Sequence, residues 1–171
     1  MTDEEIKLKI IKIFQDSRKN KNDFFEETHF LDFLASPPFK KGTIKNSFKG
    51  ARKYYNFMDK LELEFRICFK IQDLDNLYSV DQLTKKVKER INKRSGNTKI
   101  LKERIKENKS VKLEATLITI YSGLVFWIGV HWMSILLTIL LVIILAWLIS
   151  ARIHNYKHVK NLSNRFKSNN T

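Results

Sequence analysis

His154 and His158 stand one helical turn apart, a spacing that can offer two imidazoles to one metal ion. No Glu follows His154 as it would in a metal-dependent hydrolase, and no third ligand lies nearby in the chain. The pair is therefore expected to be ordinary interfacial tail residues, and His29 and His131 fall in unrelated contexts. Cys68 is the single cysteine, which excludes an intramolecular disulfide and a CxxC pair. It is expected to pack as a small apolar side chain. Glu62 and Glu64 would share one face of a strand, where such carboxylates are normally solvated. With five glycines there is no phosphate-cradling loop, and no GxSxG elbow occurs. No enzyme, metal or cofactor is expected.

The chemistry that remains is electrostatic. The net charge of +14 is unevenly spread. Residues 1–81 carry 15 Lys/Arg against 14 Asp/Glu, whereas residues 82–112 carry 12 against 3. From Leu113 to Ala151 the one charge is Glu114, and the tail from Arg152 to Thr171 holds five basic residues and no acid. The basic excess thus flanks the uncharged block. A nucleic-acid binder would more often carry it on the folded domain. Lys85, Lys86, Lys88, Arg90, Lys93 and Arg94 before the block, with Arg152 and Lys157 after it, read as cytosolic flanks that attract anionic lipid headgroups.

Ala115 to Ala151 is a run of 37 residues without formal charge. One passage through a bilayer takes about 20 apolar residues. A single helix of that run would be about 55 Å long, more than tilt absorbs. Two spans, about 113–128 and 133–151, are expected, joined by a turn at Gly129, His131 and Trp132. Thr116, Thr119 and Gly123 share a face of the first span at offsets of three and four. Small and hydroxylated residues there suit close helix packing, either within the hairpin or between copies in an oligomer. The second span is far more apolar. Positive flanks and an uncharged turn place both termini in the cytosol of a multi-pass protein. The N-terminus MTDEEIKLKI lacks the basic start and apolar core of a secretory signal.

These features divide the chain into a soluble domain (1–78), a basic helical connector (79–112), the hairpin (113–151) and a basic tail (152–171). In the soluble domain, Ile6, Ile10, Ile13 and Phe14 predict an amphipathic helix over 4–14. Phe24, Phe25, Phe30, Leu31, Phe33 and Leu34 are core candidates. Thr43 could cap a helix to Met58 that buries Ile44, Phe48, Ala51 and Tyr55. LELEFRICFKI alternates from Leu61 to Ile71, which predicts a half-buried strand, with 29–34 as its best partner. Leu61, Phe65 and Phe69 also share a helical face, so a helix is the alternative. Ser79 and Gln82 form a capping-box pattern before a helix to Arg94, which Gly96-Asn97 would break. The expected fold class is a mainly α membrane protein. Its N-terminal domain would be α-rich or α+β and winged-helix-like, with Lys45, Lys49, Arg52 and Lys53 on the recognition helix in the latter case. Such residues are ordinarily a solvated helix face.

A small soluble domain, a basic connector and the two-span segment 113–151, in a chain rich in Lys, Asn and Ile, resemble the membrane effectors of bacterial anti-phage systems. The layout is most similar to the two-transmembrane effectors encoded beside retron reverse transcriptases. The resemblance implies a toxic protein of the bacterial inner membrane, oligomeric when active. It would be held inactive by a protein or ribonucleoprotein partner, such as a reverse transcriptase with its nucleic acid, and would permeabilise the membrane when released. The alternatives are a non-toxic membrane anchor for a cytosolic partner and a membrane-tethered nucleic-acid-binding protein.

Overall fold

The computed structural model describes residues 1–74, 79–108, 111–128 and 132–167, and its regular elements are all helical. The α-helices are α1 (Asp3–Ser17), α2 (Phe48–Phe65), α3 (Val80–Asn92), α4 (Arg94–Asn108), α5 (Lys112–Ile128) and α6 (Trp132–Lys167). Short 3-10 turns at Glu27–Leu34, Ile44–Asn46 and Ile71–Leu74 connect the first of them. The chain divides into two compact units: residues 1–101 with 161–171, and residues 102–160.

The first unit is built around aromatic rings. Thr2 and Glu5 close a capping box on α1, which then buries Ile6, Ile10 and Phe14 at offsets of four. Phe14 meets Phe25, Phe30 and Phe57 edge-on, with ring centroids 4.9, 5.0 and 6.2 Å apart. Phe25 and Phe33 are partly buried, but Phe24 is 82% exposed. Asp32, itself buried, accepts from the Gly42 and Ile44 amides at 2.6 and 3.1 Å and so ties down the loop before α2. Ser79 and Gln82 close the second capping box, and α3 sends Val80, Leu83 and Val87 into the same core.

Two expectations are overturned. No strand occurs among the described residues, so neither the strand at 61–71 nor a winged-helix arrangement is present. The alternating segment instead continues α2 through Phe65. Tyr54, Phe57, Met58, Leu61 and Phe65 form one buried helical face, and Arg66 ends the helix in the left-handed region at φ 54°. A strand there would have needed a partner, whereas a helix satisfies its own backbone. The face of α2 is also rotated from the one expected: Phe48 and Tyr55 are exposed. The helix starts at Ser47, whose hydroxyl accepts from the Gly50 amide at 3.0 Å, and not at Thr43.

The break after α3 falls at Lys93, so Gly96 and Asn97 lie inside α4. Buried Asn97 donates to the Arg90 carbonyl at 2.8 Å, one of the carbonyls left over at the end of α3. Its oxygen accepts from the Cys68 amide at 3.2 Å. Cys68 is buried. Part of the tail packs with the N-terminal helices. Within the first unit Leu162 is buried and Arg165 donates to the Leu63 carbonyl at 2.9 Å.

Gly50 reports how tightly α2 is seated. A Cβ built on it would lie 2.0 Å from the Ile44 carbonyl oxygen, a backbone atom that cannot rotate away. Gly50→Ala should therefore cost about 2–3 kcal/mol despite alanine's better helix propensity. A thermal melt of the purified chain should show the loss, and an unchanged midpoint would mean the close approach is not real.

Candidate functional site: the apolar helix pair

From Trp132 to Ala151 twenty residues pass without a charge. That stretch of α6 is long and apolar enough to cross a bilayer, and little of it is buried. Among the described helices it alone meets that criterion. α5 does not. Its 17 residues would rise about 25 Å against a hydrocarbon core of about 30 Å, and they include Glu114. A hairpin of two spans is thus not established by length and composition.

The second unit nonetheless pairs these helices. Glu114, Leu117, Tyr121 and Val125 are the half-buried positions of α5, at offsets of three and four. On α6, Ser134 is buried and Leu137, Leu141, Leu145, Leu148 and Arg152 are half-buried, again at offsets of three and four. This is the spacing of two helices packed at a shallow angle. Two polar ties fix their register. Thr138 gives its hydroxyl proton to the Ser134 carbonyl at 2.7 Å, so the Tyr121 hydroxyl, 2.5 Å away, donates to Thr138. At the other end Arg152 meets Glu114 at 2.5 Å. Tyr121 lies late in α5 and Thr138 early in α6, while Glu114 opens α5 and Arg152 follows the apolar run. The helices are therefore antiparallel.

Thr116, Thr119 and Gly123 lie on a different face of α5. All three are exposed, and nothing stands within 4 Å of a Cβ at Gly123. The threonines return their hydroxyls to the Lys112 and Ala115 carbonyls at 2.8 and 2.9 Å. This face does not serve the contact between α5 and α6. The seam residues Tyr121 and Thr138 were the ones missed, because within an apolar run only the partner helix marks which hydroxyl faces it. Of the expected turn, Gly129 and His131 lie outside the described residues, and Trp132 opens α6, 69% exposed. His154 is exposed and His158 buried, unlike environments for two residues one turn apart.

The basic flank before the block is largely spoken for. Lys86 and Arg90 both reach Asp73, Lys86 at 3.0 Å. Burial alone would raise the Asp73 carboxyl, but the Lys70 amide, Lys86 and Arg90 outweigh it and hold it below the ordinary range. Lys88 pairs with Asp3 at 2.6 Å and Lys93 with Glu89 at 3.0 Å. α3 is thus packed into the folded first unit. Lys85 and Lys157 are exposed, and Arg94 opens α4.

The Glu114–Arg152 tie is less than one-third exposed on both sides, between a surface pair and a buried one. Reversing Glu114→Arg alone should weaken the helix pair by about 2 kcal/mol. Adding Arg152→Glu should restore most of it. Spin labels at Leu117 and Leu145 in the reconstituted chain would read the separation. Equal spectra for the single and double variants would remove the tie from the account.

Comparison with protein-family models, with curated proteins and with solved structures finds no match to this chain.

Proposed function

We propose that the chain is a two-pass integral membrane protein that perturbs the membrane it occupies, as a regulated effector. The observation that carries this reading is the uncovered apolar surface of α6, bordered by Arg152 and Lys157. The antiparallel pairing supports the second pass. So do the exposed rings of Phe126, Trp127 and Trp132, which cluster where α5 ends and α6 begins and suit a headgroup interface. A 17-residue helix spans by local thinning of the bilayer, a deformation that itself suits a membrane-perturbing protein. Positive flanks put both termini in the cytosol, in a bacterium at the inner membrane.

The open Thr116/Thr119/Gly123 face supports assembly of several copies, since one helix pair cannot enclose an aqueous path. Control would come through the first unit. α6 is a continuous helix whose last turns, at Leu162 and Arg165, are held within that unit. A partner bound there would act on the same helix that crosses the lipid. The resemblance in layout to retron-associated effectors supports an inhibitory protein or ribonucleoprotein partner and a role in stopping phage growth. Lipid contact without toxicity, as a plain anchor, is the second reading. The well-packed first unit favours it, being large enough to be the cargo.

Two measurements decide. In a Cys68→Ser background, a cysteine at position 132 should react with an impermeant maleimide from outside intact cells. Cysteines at positions 112 and 157 should not. Labelling of position 132 from the cytosolic side alone would end the two-pass reading. Induced expression should depolarise cells, followed with a potential-sensitive dye, and Gly123→Leu should blunt the effect. Growth arrest at full membrane potential would end the effector reading. An exchange of the pair for an unrelated two-span hairpin that leaves function intact would establish the anchor.

A further inference from the structure

The near-neutral charge of residues 1–81 hides a segregation. Between Asp32 and Asp59 there is no acidic residue, but there are six basic ones: Lys40, Lys41, Lys45, Lys49, Arg52 and Lys53. Elsewhere in the first unit several cations are neutralised in place, as Lys7 is by Glu27 and Asp81 and Lys88 by Asp3. Among the described residues no carboxylate pairs with Lys49, Arg52 or Lys53. Lys53 donates to the Leu34 carbonyl at 2.9 Å. Burial lowers its ammonium pKa, and Lys49 and Lys19 lower it further, which records three cations crowded together.

Two exposed aromatic rings stand beside these cations. Phe48 is 70% and Tyr55 53% exposed, on the same helix that buries Tyr54, Phe57 and Phe65. Phe48, Arg52 and Tyr55 follow at offsets of four and three, and so share a face. Lys49 and Lys53 form the next row around the helix. α2 therefore carries two parallel tracks, aromatic on one side and cationic on the other, with Arg52 between them. The rings are about 10 Å apart along the axis. A shallow cleft lined by Lys19, Phe24 and Leu34 extends the surface past the Lys53 contact.

We infer that this face of α2 binds a single-stranded nucleic acid, with phosphates along Lys49, Arg52 and Lys53 and bases stacked on Phe48 and Tyr55. A row of rings alongside a row of cations matches a strand, whose bases and backbone lie on opposite sides. A lipid surface would be met by a broad apolar face with cations at its margins, and two rings make no such face. The inference does not depend on the two-pass reading, since it concerns the first unit and is measured by binding.

The test uses the full chain in nanodiscs of zwitterionic lipid and a labelled oligothymidylate of about 20 nucleotides, read by fluorescence anisotropy. Binding should weaken with salt, with a log–log slope of about −2 for three phosphates neutralised. Lys49→Ala with Arg52→Ala should lower affinity at least tenfold and flatten that slope. Phe48→Ala with Tyr55→Ala should lower affinity at least about thirtyfold and leave the slope unchanged. Lys102→Ala with Lys106→Ala, on α4, should change little. Equal affinity for heparin, or loss only with the α4 variant, would overturn the inference in favour of generic polyanion attraction. Hydrogen exchange offers a second arm. Protection of residues 48–56 by the oligonucleotide supports the inference. Protection there by anionic lipid alone would overturn it and assign the face to the membrane.

Discussion

Along α6, side chains such as Ile135, Leu136, Ile139, Leu140, Val142 and Ile143 are exposed over half or more of their surface. Covering each would be worth roughly 1.5–3 kcal/mol. Left in water, the set would forgo free energy comparable to the whole margin of stability common for a domain of this size, about 5–15 kcal/mol. That surface therefore needs an apolar surrounding. Scattered leucines on a soluble protein need no explanation, but a continuous band on one helix does. The first unit meets its own needs, with Phe14, Phe30, Phe57 and their neighbours fully covered. The molecule thus joins a part that folds like any water-soluble helical domain to a part for which water is a poor solvent.

Within the apolar part the few polar groups decide how the helices meet. Leucine against leucine fixes no register, because sliding one helix along another exchanges one such contact for an equivalent one. Tyr121 on Thr138 and Glu114 on Arg152 break that degeneracy from the two ends of the pair. Their placement on the seam leaves the threonines of α5 elsewhere. Those threonines satisfy their own hydroxyls by back-bonding, so they tolerate lipid without demanding a partner. Such a face can stay exposed in one state and be covered in another at little cost. That is a property an assembly switch needs and a rigid scaffold does not.

The sequence was most readable where a pattern had one interpretation. Ser79 with Gln82 marked the start of α3 because a capping box has no strand counterpart, whereas the equivalent box of Thr2 and Glu5 on α1 went unread. Residues 61–71 misled because period-two alternation and helical spacing coexist there. Which one is realised depends on whether a partner strand exists, and local residues do not contain that fact. The face of α2 was misassigned for a related reason. Gly50 approaches the Ile44 carbonyl and so turns the helix, placing Tyr54 inside and Tyr55 outside. A glycine's missing side chain leaves no mark in a hydrophobic pattern. The ion pairs of α3 were likewise hidden, since their partners Asp3 and Asp73 come from distant parts of the chain.

Charge counted by segment and charge distributed in space tell different stories, and the difference bears on what the first unit is for. A segment sum near zero weighed against a nucleic-acid partner for residues 1–81. The fold undoes that argument by pairing cations with carboxylates on α1 and α3 while leaving Lys49, Arg52 and Lys53 without an acidic neighbour in sequence. Mutual repulsion among Lys19, Lys49 and Lys53 is unfavourable to the isolated domain, and burial of Lys53 adds to it. A cluster of this kind is stabilised when an anion binds, so the binding free energy and the relief of repulsion have the same sign. Through Leu162 and Arg165 the same unit holds the end of α6. The cationic face of α2 and the last turns of α6 thus belong to one folded unit.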